Sequence, residues 1–96
     1  MDIQPLHTKI EKSIQSSYGI IVLEHYSGFP RGESNLYCVA QNGEVVWKAE
    51  KPDSYTLYSR VRFNEDGMSL STYTINGHAC DIDPQTGKIL GTTSIQ

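Results

Sequence analysis

Ninety-six residues, 38% of them hydrophobic, describe one small globular domain, residues 1–96, with a modest core. Eight Lys/Arg against eleven Asp/Glu leave a net charge of −3, which argues against a nucleic-acid partner, because phosphate backbones demand a basic surface. The longest apolar run, Ile20 to Leu23, is far short of the ~20 residues of a membrane helix, and the start Met1-Asp2-Ile3-Gln4-Pro5 lacks a leader's basic-then-apolar pattern, so no membrane partner and a cytoplasmic setting are expected.

From the N-terminus, Leu6, Ile10 and Ile14 recur at a spacing of four, with Lys9, Glu11, Lys12 and Gln15 between them. With Pro5 suited to a first helical turn and Ser16, Ser17 and Gly19 ending the pattern, this spacing predicts a short amphipathic helix over 5–17. Beyond it every signal is β. The run Tyr18 to Tyr26 is rich in β-branched and aromatic residues and ends at Gly28 and Pro30. A Gly/Pro/Ser-rich loop follows over 27–34. In it Phe29 and Arg31 are candidates for a binding tip, although Phe29 is equally suited to folding back over the core.

Asn42-Gly43 lies between two alternating runs and predicts a two-residue type I′ hairpin with Ala40 opposite Val45 and Cys38 opposite Trp47. Its apolar face would then hold Leu36, Cys38, Ala40, Val45, Trp47 and Ala49. Farther on, Leu57, Val61 and Phe63 alternate with Tyr58, Arg60 and Arg62, and Gly67, Asn76-Gly77 and Asp83-Pro84-Gln85-Thr86-Gly87 mark further turns. The expected fold class is therefore α+β, a short N-terminal helix packed on about seven mainly antiparallel strands in meander order.

The chain repeats itself. Aligning Gln41 with Asp83 superposes Cys38 on Cys80, Ala40 on Ile82 and Val45-Val46 on Ile89-Leu90, giving paired units over 35–50 and 77–93. The second unit, TINGHACDIDPQTGKIL, resembles the PQQ-like repeat of bacterial β-propellers, and the first, NLYCVAQNGEVVWKAE, is similar with a shorter turn. The resemblance implies four-stranded antiparallel blades and does not imply a quinone, so no cofactor is expected. It departs from the family in length, since this chain holds at most two blades where a closed ring needs at least four. Small stand-alone bacterial proteins of this pattern look like immunity or antitoxin partners, by analogy.

Candidate chemistry is sparse. His7, His25 and His78 lack metal-ligand spacing, and Cys38 and Cys80 lie in no CxxC pattern, so neither a metal site nor a catalytic residue is expected. A Cys–His pair drawn from Cys38, Cys80, His25 and His78 would make a small enzyme, but the repeat register buries both thiols. Asp81 and Asp83 invite a calcium reading, yet Asp83 before Pro84 suits a turn whose carboxylate caps the N–H of Gln85 or Thr86.

Arg60, Arg62 and the tyrosines remain. In a chain with six tyrosines, the candidate protein-binding residues are Phe29, Arg31, Tyr55, Tyr58, Arg60 and Arg62, because Tyr and Arg are enriched at interface hot spots. The functional expectation is a non-enzymatic protein-binding module of the immunity or inhibitor type, its acidity suited to a basic toxin or nuclease. The alternative is a protomer of a homo-oligomeric β assembly.

Overall fold

A computed structural model describes residues 3–94. The two residues at either end, which include the start of the leader reading and the limits of the 1–96 domain, lie outside the described residues. Eight strands follow one another: β1 (Ile10–Ser16), β2 (Gly19–Glu24), β3 (Leu36–Val39), β4 (Val45–Lys48), β5 (Tyr58–Phe63), β6 (Leu70–Thr74), β7 (His78–Ile82) and β8 (Ile89–Ser94). They form two four-stranded antiparallel sheets, β1-β2-β3-β4 and β5-β6-β7-β8, each a simple meander.

The fold is thus all-β, not α+β, and the N-terminal helix expected over 5–17 is absent. Residues 3–9 form an irregular strap, bent at Leu6–Thr8, and residues 10–16 are β1. The physical reason lies in the spacing. Leu6, Ile10 and Ile14 are four apart, which satisfies a helical turn and a period of two alike. A bulge between Ile10 and Lys12 then shifts the parity, so Ile10 packs on the outer cluster of the first sheet while Ile14 packs on the inner core.

One core joins the two sheets. Ile21 and Leu23 of β2, Leu36 and Cys38 of β3 and Trp47 of β4 pack with Val61, Leu70, Cys80 and Ile82 of the second sheet. Cys38 and Cys80 both sit on the third strand of their sheet and are buried and unpaired. On the far side of the first sheet, Val22, Tyr37 and Val39 form a second apolar cluster, capped by Ile3 of the strap and by Ile10 and Ile20.

Two polar devices hold the parts together. Asn35 is fully buried; its Nδ2 donates to the carbonyls of Glu24 and Tyr58, each at 2.7 Å, and its Oδ1 accepts from the N–H of Tyr58 at 2.8 Å. It therefore stitches the end of β2 to the start of β5, leaving none of those buried backbone groups unpaired. The indole N–H of Trp47 donates to Pro84 O at 3.0 Å, and Gly87 lies against the same ring.

The hairpin register matches expectation at Cys38–Trp47, but the turn differs. Gly43 N–H donates to Ala40 O, and Ala40 N–H donates to Glu44 O, so the loop has three residues with Gly43 alone at positive φ (89°). A type I′ turn would put Asn42 at positive φ as well, and among the described residues only glycines have it. The extra residue shifts Val45 opposite Val39 on the outer side, so Val45 is 40% exposed and does not join the inner face expected for it.

Candidate functional site

The strap is fastened by a carboxylate. Glu24 ends β2 on the outer parity and is fully buried, a charged residue closing an otherwise apolar strand. Its Oε2 accepts from Leu6 N–H at 2.6 Å and from the Tyr37 hydroxyl; its Oε1 accepts from His7 N–H at 3.0 Å and Thr8 N–H at 2.9 Å. Burial opposes the negative charge, but the Tyr37 hydroxyl and the three backbone donors outweigh it and hold the carboxyl below its ordinary range. Conversely, burial and the neighbouring carboxylate push the Tyr37 hydroxyl well above its usual value. This arrangement is structural: the carboxylate's acceptor positions are taken by three N–H groups of the strap and by the Tyr37 hydroxyl, so its role is to fasten the strap to the sheet.

The thiols are equally withdrawn. Burial raises both Cys38 and Cys80 above the ordinary thiol value, which lowers the thiolate fraction that any nucleophilic role requires. His78 shares the inner parity of β7 with Cys80, while His25 stacks on Tyr26 at 4.8 Å on a different surface. Asp83 acts as expected in a turn, its Oδ1 accepting from Gln85 N–H at 2.8 Å. Asp81 points outward from β7 instead. Among the described residues no three His, Cys, Asp or Glu side chains come together as a metal cluster.

The candidate contact residues scatter. Phe29 is not a loop tip: it is 4% exposed and meets the His7 ring edge-on at 5.0 Å, folded back against the strap. Tyr58 is not a surface residue either, being fully buried with its hydroxyl donating to Glu50 O. Arg31 is exposed on the 27–34 loop, where Lys51 Nζ donates to the carbonyls of Arg31, Glu33 and Ser54 and pins the loop. Tyr55 is 73% exposed on the connection between the sheets, which Asp53 shapes by accepting from the N–H groups of Tyr55 and Thr56.

Arg60 and Arg62 do come together. Both are exposed and project from the outer face of β5, while Val61 between them is buried in the core. Strand pairing places Tyr73 opposite Arg60 and Ser71 opposite Arg62. These residues, with Ser59, Glu11 and Lys12, line a groove of about 280 Å³ floored by Leu23 and Val61. Lys12 Nζ donates to Val61 O at 2.9 Å, tying the first sheet's edge strand to β5. The ion pairs among the described residues are His7–Glu33 and Lys48–Glu33, so both guanidinium groups lack a carboxylate partner.

Alternation along β5 makes Arg60 and Arg62 legible as an exposed pair in the sequence. Tyr73 and Lys12 are not, because they reach the groove from β6 and β1 through pairing and packing.

The chain belongs to a family described as a domain of unknown function (DUF7957), which matches residues 3–94. Neither a curated protein nor a solved structure matches it.

Proposed function

We propose that the protein is a non-enzymatic, cytoplasmic protein-binding module of the inhibitor or immunity type, and that its contact face is the outer side of the second sheet around Arg60, Arg62 and Tyr73. One observation carries this reading: among the described residues, two exposed guanidinium groups without a carboxylate partner stand beside a 41% exposed tyrosine on an uncovered strand face. Arg and Tyr are the residue types that supply most interface energy, and arginine is selected where a planar carboxylate is to be gripped. Although the whole chain carries −3, this face is locally positive, so it complements an acidic surface rather than the basic one that net charge alone suggests. A reducing compartment keeps Cys38 and Cys80 as the buried thiols they are. Within the same proposal each meander is a blade-like unit of the PQQ-like type without a quinone, supported by the equivalent third-strand positions of the two cysteines.

The test is photo-crosslinking in cells of the source organism from Tyr73→p-benzoyl-phenylalanine. The expected result is one dominant protein adduct that disappears when Arg60→Glu and Arg62→Glu are added. The same substitution at Tyr26, exposed on another surface, should give no such adduct. No adduct from position 73, or one indifferent to the arginines, refutes the assignment.

A further inference from the structure

We infer that the partner segment held by this groove is an extended peptide bearing two carboxylates at positions i and i+2. The inference rests on the protein-contact reading of the same face and specifies the chemistry that reading leaves open. The geometry of β5 sets the spacing. Arg60 and Arg62 are two residues apart on one face of a strand, so their stems are roughly 6–7 Å apart, and side chains at i and i+2 of any extended segment are separated by the same distance. A strand-like Asp/Glu-x-Asp/Glu lying along β5 therefore offers one carboxylate to each guanidinium, and each pair has the planar match that permits two parallel hydrogen bonds.

The mode of binding is constrained as well. β5 is an edge strand, and an exposed edge ordinarily invites a partner to add a strand through main-chain hydrogen bonds. Here Lys12 Nζ already occupies the outward carbonyl of Val61, and a bulge between Tyr58 and Arg60 breaks the register beside it. Main-chain pairing is obstructed, so recognition falls to side chains, the two arginines with Tyr73 beside them; the hydroxyls of Ser59 and Ser71 already donate to Tyr73 O and Asn64 Oδ1.

The charge pattern limits the ligand. Glu11 lines the groove, and Asp81 stands beyond Ser71, its Oδ1 3.5 Å from the Ser71 hydroxyl. The positive field is thus two arginines wide, with Lys12 committed to a carbonyl and a carboxylate on either flank. A phosphate backbone needs a continued basic track. Two carboxylates along β5 fit; a broader polyanion that spreads past the arginine pair meets a carboxylate on either side.

The experiment titrates the intact protein, followed by amide chemical shifts, with a peptide centred on Glu-Val-Glu, its Gln-Val-Gln counterpart, a Glu-Glu-Val permutation and a short oligothymidylate. The expected result is shift changes confined to Lys12, Ser59–Arg62 and Ser71–Tyr73, with affinity falling at least about fivefold for the Gln peptide, for the permutation, and for Arg60→Ala or Arg62→Ala. Equal affinity for the Gln peptide, or stronger binding of the oligothymidylate at the same residues, overturns the inference. Circular dichroism of both variants separates lost binding from lost folding. If the peptide fails to bind while the Tyr73 crosslink persists and depends on Arg60 and Arg62, the two-carboxylate specification falls and the contact face stands. If the crosslink is also absent, both fall.

Discussion

Glu24→Gln isolates the latch that holds the strap, since it keeps the shape of the side chain and removes its charge. The carboxylate accepts from three successive backbone N–H groups and from the Tyr37 hydroxyl. If the amide oxygen of Gln takes the place of Oε1, the bonds from His7 and Thr8 survive but lose charge assistance, at about 1 kcal/mol each. The NH₂ then faces Leu6 N–H, and Tyr37 can turn its hydroxyl to accept, so one donor is orphaned at about 1–3 kcal/mol. The sum is about 3–5 kcal/mol, and it has a ceiling. The strap lies outside the inner core, so once the cost exceeds the strap's docking free energy the strap swings into water and the rest of the sheet persists.

The assay is native-state amide exchange. Protection of Leu6, His7 and Thr8 should fall by roughly 100-fold or more, each 1.4 kcal/mol being a factor of ten. Protection in β2, β3, β6 and β7 should change far less. A second signature is pH. Because the folded-state carboxyl lies below its ordinary value of 4.5, its stabilisation is complete above that value and is lost as pH falls through the lower folded-state value. Wild-type strap amides should therefore lose protection in an acid step below 4.5 that Glu24→Gln lacks. Unchanged protection of the three amides in the variant would show that the carboxylate does not hold the strap, and would sink the reasoning.

Other consequences are equally direct. Gly87→Ala places a Cβ about 2.5 Å from the Trp47 ring on a backbone at φ 77°, and should cost about 2–4 kcal/mol, read by denaturant unfolding on the fluorescence of the only tryptophan. Asn35→Ala leaves three buried backbone groups without partners and should cost about 3–5 kcal/mol, lowering Tm by about 12 °C or more; a shift of only a few degrees would mean water replaces the amide. Cys38 and Cys80 should react with an aromatic disulfide reagent orders of magnitude more slowly in the native protein than in denaturant, and fast native labelling of either would contradict their burial.

What the sequence discloses follows from how local each signal is. Asn42-Gly43 and the alternation around it are contained within a dozen residues, and they set Cys38 opposite Trp47. The turn at Asp83 is local in the same way. The strap is not: Leu6, His7 and Thr8 are held by a carboxylate 16 to 18 residues away. An apolar spacing of four gives no means of choosing helix over strand without that partner. A signal for it was present nonetheless, because Glu24 interrupts the run Ile20–Leu23 and a charge at the end of a buried strand demands dedicated donors. The groove divides along the same line. Arg60 and Arg62 share a strand and are read together from parity, whereas Lys12 and Tyr73 are 48 and 13 residues from Arg60 and join it only through the sheets.

The two meanders are alike in path but not in what lies on their outer faces, and that difference supports the proposed contact face. Matching Cys38 with Cys80 puts Tyr37 on Ala79 and Val39 on Asp81, and the strand pairing puts Val22 on Tyr73. The first sheet therefore turns three apolar side chains outward and spends the strap on covering them. The second turns Tyr73, Ala79 and Asp81 outward beside Arg60 and Arg62, a face that is stable in water without a cover. The edges are treated uniformly. Every outer pair, β1–β2, β3–β4, β5–β6 and β7–β8, carries a register shift, while the inner pairs β2–β3 and β6–β7 carry none. Such bulges discourage edge-to-edge pairing and weigh against assembly by strand addition. With the edges disrupted and the strap over the apolar cluster of the first sheet, the arginine-bearing face of the second sheet is, among the described residues, an uncovered polar face, and the proposed contact would use its side chains rather than its main chain.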